Sequence, residues 1–139
     1  MNRMPNPVPT DRELEALKIL WRQGSCSVNR ICDAMRQRGT ELAYTTVLSL
    51  LQVMEQKGLV GHRQTGKAYA YFARVQRDSI FRILSGGFLQ KVFDGALDEY
   101  LVHALRSKTP TTDELDRLAK AISEAKTRSG RGANKEKSS

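Results

Sequence analysis

Histidine and cysteine are scarce: two of each stand in 139 residues. Cys26 and Cys32 lie six apart, which on a helix of about 100° per residue directs them to different sides. No disulfide is therefore expected, and two cysteines make no metal motif. Cys32 falls on an apolar stripe and reads as a small core residue. The histidines, His62 and His103, have no nucleophile elbow, phosphate loop or His-x-x-x-His spacing around them. They read as surface or partly buried side chains, and the chain as a non-enzyme without cofactor or metal. Aromatic residues make up only 6%. Tyr69 and Tyr71 alternate with alanine as packing requires, which leaves no stacking signature for RNA. No apolar run reaches the roughly 18 residues of a membrane span. The start, MNRMPNPVPT, lacks the apolar stretch of a secretory signal, so the cytoplasm is the expected compartment.

What the chain has in excess is positive charge, +8 net. It is unevenly placed. Residues 1–75 carry 11 Lys/Arg against 6 Asp/Glu, residues 76–126 carry 8 against 8, and residues 127–139 carry 4 against 1. A basic segment joined to a neutral one points to an anionic partner for the first and a different task for the second.

Turn and cap residues divide the chain further. Pro5, Pro7 and Pro9 make residues 1–9 extended or disordered. Thr10-x-x-Glu13 fits a capping box, and Leu14, Leu17, Leu20 and Trp21 follow on one helical face that closes near Gly24. Ser27 caps a second helix with Val28, Ile31, Cys32 and Met35 at helical spacing, ended by Gly39. Residues 44–57 form the third helix, closed by Gly58. The period then changes: residues 59–64 and 68–73 read as two strands joined by Thr65-Gly66-Lys67. From Gln76 the helical period returns with Ile80, Phe81, Leu84, Phe88, Val92 and Phe93. Gly86-Gly87 in its middle allows a kink, and Asp94-Gly95 stops it. A short helix carries Leu97, Leu101, Ala104 and Leu105. Thr111-x-x-Glu114 starts the last, with Leu115, Leu118, Ala119 and Ile122 on one stripe. Residues 127–139, TRSGRGANKEKSS, are expected to be disordered. The fold class is mainly α with a small β-hairpin.

The third helix lies in AYTTVLSLLQVMEQKGL, Ala43 to Leu59. On a wheel, Val47, Leu50, Leu51 and Met54 share one side and Thr45, Ser49, Gln52 and Gln56 the other. The second face carries hydroxyls and amides instead of charges. Gln can pair bidentately with adenine, and a Thr methyl can pack on the thymine methyl. Two helices with a glycine-containing connection fit a helix-turn-helix, and the hairpin a wing whose Arg63 and Lys67 suit phosphate contact.

The segments PTDRELEALKILW, LAYTTVLSLLQVMEQKGLV and GKAYAYFARV resemble the bacterial penicillinase repressor family (BlaI/MecI/CopY type). FLQKVFDGALDEYLVHAL and TTDELDRLAKAI match its pattern more loosely, so the resemblance covers about residues 8–126. It implies a winged helix-turn-helix domain over 10–75 and a helical dimerisation domain over 76–126. It further implies a homodimer that represses transcription from double-stranded operator DNA with TACA/TGTA-type half-sites. Tyr44, Thr45 and Thr46 fall at the family's recognition-helix start, and Arg63 and Lys67 in its wing. With the wheel, this makes Tyr44, Thr45, Thr46, Ser49, Gln52, Arg63 and Lys67 the expected DNA-binding residues. The apolar faces of the neutral half assign Ile80, Leu84, Phe88, Val92, Leu101, Leu115, Leu118 and Ile122 to the dimer interface.

Departures from the family are also legible. The copper-responsive branch has a Cys-rich motif near its C-terminus, and this chain has no cysteine after Cys32. The antibiotic-responsive branch is inactivated by a protease in its dimerisation domain, typically at an Asn-Phe bond, where this chain has His103-Ala104. The alternative to an operator-binding repressor is a winged-helix protein-interaction adaptor without sequence-specific DNA binding.

Overall fold

Thr10 opens the first helix as its capping box predicts. Its hydroxyl accepts the Glu13 N–H at 3.2 Å, and Glu13 reaches back to the Thr10 N–H at 2.9 Å. The structure, a computed structural model, describes residues 8–138. Helix α1 (Asp11–Gln23) ends at Gly24. A two-residue strand, β1 (Cys26–Ser27), leads into α2 (Val28–Gln37), whose N-cap Ser27 accepts the Arg30 N–H at 3.2 Å. Helix α3 is Tyr44–Gln56, and strands β2 (Val60–Thr65) and β3 (Ala68–Ala73) form the hairpin. Helices α4 (Arg77–Phe93), α5 (Leu97–Ser107) and α6 (Thr112–Ser138) complete the chain.

The sheet is antiparallel in the order β1-β3-β2. Its third strand is new relative to the sequence reading: Cys26 and Ser27 pair with Tyr71 and Ala70. This edge ties the α1–α2 connection to the hairpin, so the wing is anchored on the helices by backbone hydrogen bonds. Both cysteines are free and buried. Pro9 is buried at the start of α1, while residues 1–7 of the expected disordered N-terminus lie outside the described residues.

Contacts divide the chain into two units, Met1–Phe88 and Leu89–Ser139. The first has a core built from Leu17 and Leu20 of α1, Ile31 and Met35 of α2, and Val47, Leu51 and Met54 of α3. Leu59, Val60 and Tyr71 close it from the sheet. Fully burying one such aliphatic side chain contributes about 1.5–3 kcal/mol.

Ile80 belongs to this core as well, only 2% exposed, and Leu84 packs against it. This corrects the assignment of Ile80 to a dimer interface; the two contact units meet after Phe88. The physical reason lies in the first turns of α4, which continue the winged domain: Phe81 meets Trp21 edge-on at 5.9 Å. Helical period identifies an apolar face but not what covers it.

In the second unit no residue from 89 to 130 is buried. Its helices are nevertheless well delimited. α4 stops at Asp94 and Gly95, both at positive φ. α6 starts from the Thr111 capping box, in which the Glu114 N–H donates to the Thr111 hydroxyl at 3.0 Å and the Thr111 N–H to Glu114 at 2.9 Å.

Helix α4 includes Gly86 and Gly87. One further expectation needs correction. α6 does not end near residue 126 but continues to Ser138, so the stretch expected to be disordered is helical up to that residue. A capped helix has already met the cost of nucleation, and each further residue adds a hydrogen bond.

Candidate nucleic-acid interface

Glycine turns close both α2 and α3. Behind α2, Gly39 at φ +92 allows the Thr40 N–H to reach the Met35 carbonyl at 2.9 Å and the Gly39 N–H that of Arg36 at 3.0 Å. The same double bond closes α3: the Leu59 N–H reaches Met54 and the Gly58 N–H reaches Glu55, both at 3.0 Å. These are Schellman closures, and at the second the flanking apolar pair, Met54 and Leu59, is fully buried. Lys57, just past the helix, donates to both carboxylate oxygens of buried Glu13 at 2.9 and 3.0 Å. The C-terminal end of α3 is thereby fastened to the N-terminal end of α1.

The opposite end of α3 is open. Ala43 occupies the N-cap and supplies no side-chain hydrogen bond. Backbone N–H groups at a helix start attract anions such as a DNA phosphate.

The outward arc emerges as the wheel predicts: Tyr44, Thr45, Thr46, Ser49, Gln52 and Gln56 are all exposed, while Val47, Leu51 and Met54 are buried. Leu50, placed on the core side, is only half-buried. No intramolecular hydrogen bond engages the side chains of Thr45, Thr46, Ser49 or Gln52 among the described residues. Their donors and acceptors are free for another molecule. Val53, 45% exposed, adds an apolar spot on the outward side that sequence reasoning missed. An alternation of polar and apolar residues on α3 could have flagged it, since its wheel position neighbours Ser49.

In the hairpin, Thr65 pairs with Ala68, so Gly66 and Lys67 alone make the turn. Gly66 takes φ +64, as the first position of a type II′ turn requires. Lys67 is exposed at this tip, and Arg63 is exposed on β2 with its guanidinium 5.1 Å from the centre of the Phe72 ring. Phe72 also receives Arg74, at 5.5 Å. The ring thus steadies two cations on the wing while leaving their N–H groups available.

A polar clip joins wing and helix. His62 Nδ1 of β2 lies 2.8 and 3.0 Å from the two carboxylate oxygens of Glu55 on α3. The imidazole meets Tyr69 edge-on at 5.2 Å and lies tilted against Tyr71 at 5.4 Å. Burial pushes the Tyr71 phenol above its ordinary range, and the Glu55 carboxylate adds to that. The clip could not be read from the sequence, because only the register of β2 beside α3 brings residues seven apart into contact.

In the second unit an open hollow of about 580 Å³ lies between α5 and α6. Its apolar lining includes Leu101, Leu105, Leu115, Leu118 and Ile122. Leu115, Leu118 and Ile122 are 45%, 36% and 49% exposed, and Val92 on α4 is 51% exposed. Phe88 is the last residue of the first unit, at 49% exposure. Among the described residues no helix is long and apolar enough to cross a membrane.

Comparison with known proteins adds to this geometry. The family model described as penicillinase repressor matches residues 9–124. A penicillinase repressor of Bacillus licheniformis is 24% identical over 122 residues, which cover 88% of this chain and 94% of the relative. The methicillin resistance regulatory protein MecI of Staphylococcus aureus (strain N315) is 22% identical over 106 residues, covering 76% and 85%. The solution structure of the DNA binding domain of the repressor BlaI aligns with 54% of this chain and 90% of its own, with 23% identity and a TM-score of 0.47. The family-model match, residues 9–124, spans the winged unit and runs into the first half of α6.

Proposed function

We propose, from the premise that this chain belongs to the penicillinase repressor family, that it is a DNA-binding transcriptional repressor which places α3 in the major groove of a dyad operator. The observation that carries this reading is the arc of Thr45, Thr46, Ser49 and Gln52, exposed and without an intramolecular side-chain hydrogen bond among the described residues. Thr45, Ser49 and Gln52 read base edges, and Tyr44 anchors the helix start. Thr46, at the edge of the arc, contacts DNA beside them. Arg63 and Lys67 bind phosphate from the wing and add affinity without sequence preference.

The operator is met by a homodimer. What supports this is a second unit in which no residue from 89 to 130 is buried, with an apolar hollow between α5 and α6. Leu101, Leu115, Leu118 and Ile122 are covered by the second copy, with Leu84, Phe88 and Val92 of α4 extending the interface. Two-fold symmetry in the protein then matches two-fold symmetry in the DNA. The site of action is the cytoplasm. An inactivating protease directed at this half would meet the His103–Ala104 bond inside α5, so cleavage would require that helix to open.

Selection of bound sequences from random duplex DNA tests the reading. A dyad motif is expected. Thr45→Ala, Ser49→Ala and Gln52→Ala should then lower the ratio of operator to scrambled-DNA affinity by about 1–3 kcal/mol where a good base contact is lost. Folding should be unaffected, because these side chains face outward. An unchanged ratio in all three variants would reduce the arc to a solvated face and favour a protein-interaction adaptor.

A further inference from the structure

A second concave surface lies on the first unit, and none of the residues assigned to DNA lines it. It is an open hollow of about 530 Å³ walled by Lys18, Trp21 and Arg22 of α1, Arg38 behind α2, and Arg77 and Phe81 of α4. Four of its six walls are cations. The other two are aromatic and set against each other, with ring planes at 85° and centres 5.9 Å apart.

The aromatic pair is fixed in place. The Trp21 indole N–H donates to the Val75 carbonyl at 2.9 Å, and the Arg77 guanidinium sits 4.3 Å over the Phe81 ring. The cations are only partly neutralised. Arg38 lies 3.8 Å from Glu15 and Arg77 3.5 Å from Asp78. Neither acid lines the hollow. Lys18 and Arg22 have no anionic partner among the described residues.

Bringing four like charges around one concavity is unfavourable unless something offsets it, and a low-dielectric wall strengthens the field inside. We propose that this hollow binds a small molecule carrying two or more carboxylate or phosphate groups. Arg22, Arg38 and Arg77 supply planar N–H pairs suited to either group, and Lys18 a point charge. Trp21 and Phe81 cover the carbon body. A duplex is the less fitting occupant, because the four cations line a recess together with two aromatic rings. The ligand would bridge α1 to the first turn of α4, two elements joined there by Trp21, Val75 and Phe81. The inference does not depend on how α3 reads DNA.

Trp21 is the one tryptophan in the chain, so its fluorescence reports this hollow alone. Full-length protein is titrated with inorganic pyrophosphate and, separately, with citrate, at constant ionic strength. A saturable change in Trp21 emission is expected with at least one, and which of the two binds more tightly distinguishes phosphate from carboxylate recognition. Lys18→Ala and Arg22→Ala should each weaken it by about tenfold or more, since each removes a charge-assisted contact. Lys67→Ala, at the wing tip and outside the lining of this hollow, should leave it unchanged. Absence of saturation with both probes, or equal affinity in Lys18→Ala and Arg22→Ala, would overturn the proposal. So would an Arg22→Ala protein with unaltered probe binding but weaker, less salt-dependent DNA binding, which would make the cluster a contact to the DNA backbone. Circular dichroism of the variants confirms that they are folded.

Discussion

Glu13 shows how much a single residue can hold. It is the one buried charged side chain among the described residues. It caps α1 and pairs with Lys57 across 44 positions of sequence. A buried charge left without its partner is costly, so Lys57→Ala should destabilise the protein. Lys57 is about one-third exposed and water can partly replace it, which places the expected loss near 1–3 kcal/mol, read as a lower denaturant midpoint at unchanged slope. Glu13→Gln added to Lys57→Ala should recover part of that loss, because a neutral amide can still cap the helix. No recovery would mean that the capping box and not the ion pair carries the effect. The capping role was legible in the Thr10-x-x-Glu13 spacing. The ion pair was not, since nothing in the local sequence says that the end of α3 lies beside the start of α1. The same holds for His62 and Glu55, whose contact exists only once β2 is placed.

Helices were legible where a cap and a period coincide, as in α1, α2 and α3. Strand β1 was not, because two residues are too few to show alternation, and Ser27 was already explained as a helix cap. The wing was legible through Gly66, and it carries a prediction of its own. Lys67→Ala should weaken binding to all DNA sequences about equally and reduce the slope of log affinity against log salt by about one unit. A change in base preference at constant slope would instead make the wing a reader of sequence. Helix α4 offers a different test. A Cβ added at Gly86 or Gly87 meets nothing within 4 Å, so Gly→Ala at either should stabilise the helix by about 1 kcal/mol, seen as a rise of a few degrees in Tm. A fall in Tm would mean that another surface closes on these glycines in the assembled protein. At α6, the Glu114 carboxyl is held below its ordinary range, first by the hydrogen bond from the Thr111 N–H and then by Lys108. A depressed carboxylate contributes stability above its unfolded value and loses it as pH falls through the folded one. Helical signal from α6 should therefore decline in acid, and Glu114→Gln should flatten that decline.

At the scale of the whole molecule, contacts group the residues into two units that meet after Phe88, whereas the charge balance in the sequence changes near residue 75. The difference has one cause: Ile80 is buried in the winged core and Leu84 packs against it, and the apolar period of α4 runs on past them without marking the change. Leu118→Asp, on the exposed stripe of α6, should abolish self-association by placing an uncompensated charge in the interface. Sedimentation should show wild type as dimer and the variant as monomer at micromolar concentration, with the winged unit still folded by near-ultraviolet signal. A monomeric wild type would remove the second copy from the account. The bare apolar stripe between α5 and α6 also has a bearing on dosage. Where a chain must find its twin before it can grip both halves of an operator, the competent species grows as the square of the amount synthesised while single chains predominate. A cell that halves its supply of this protein would then lose about three-quarters of its operator-ready form, so the gene it silences would switch on abruptly during dilution by growth instead of drifting upward.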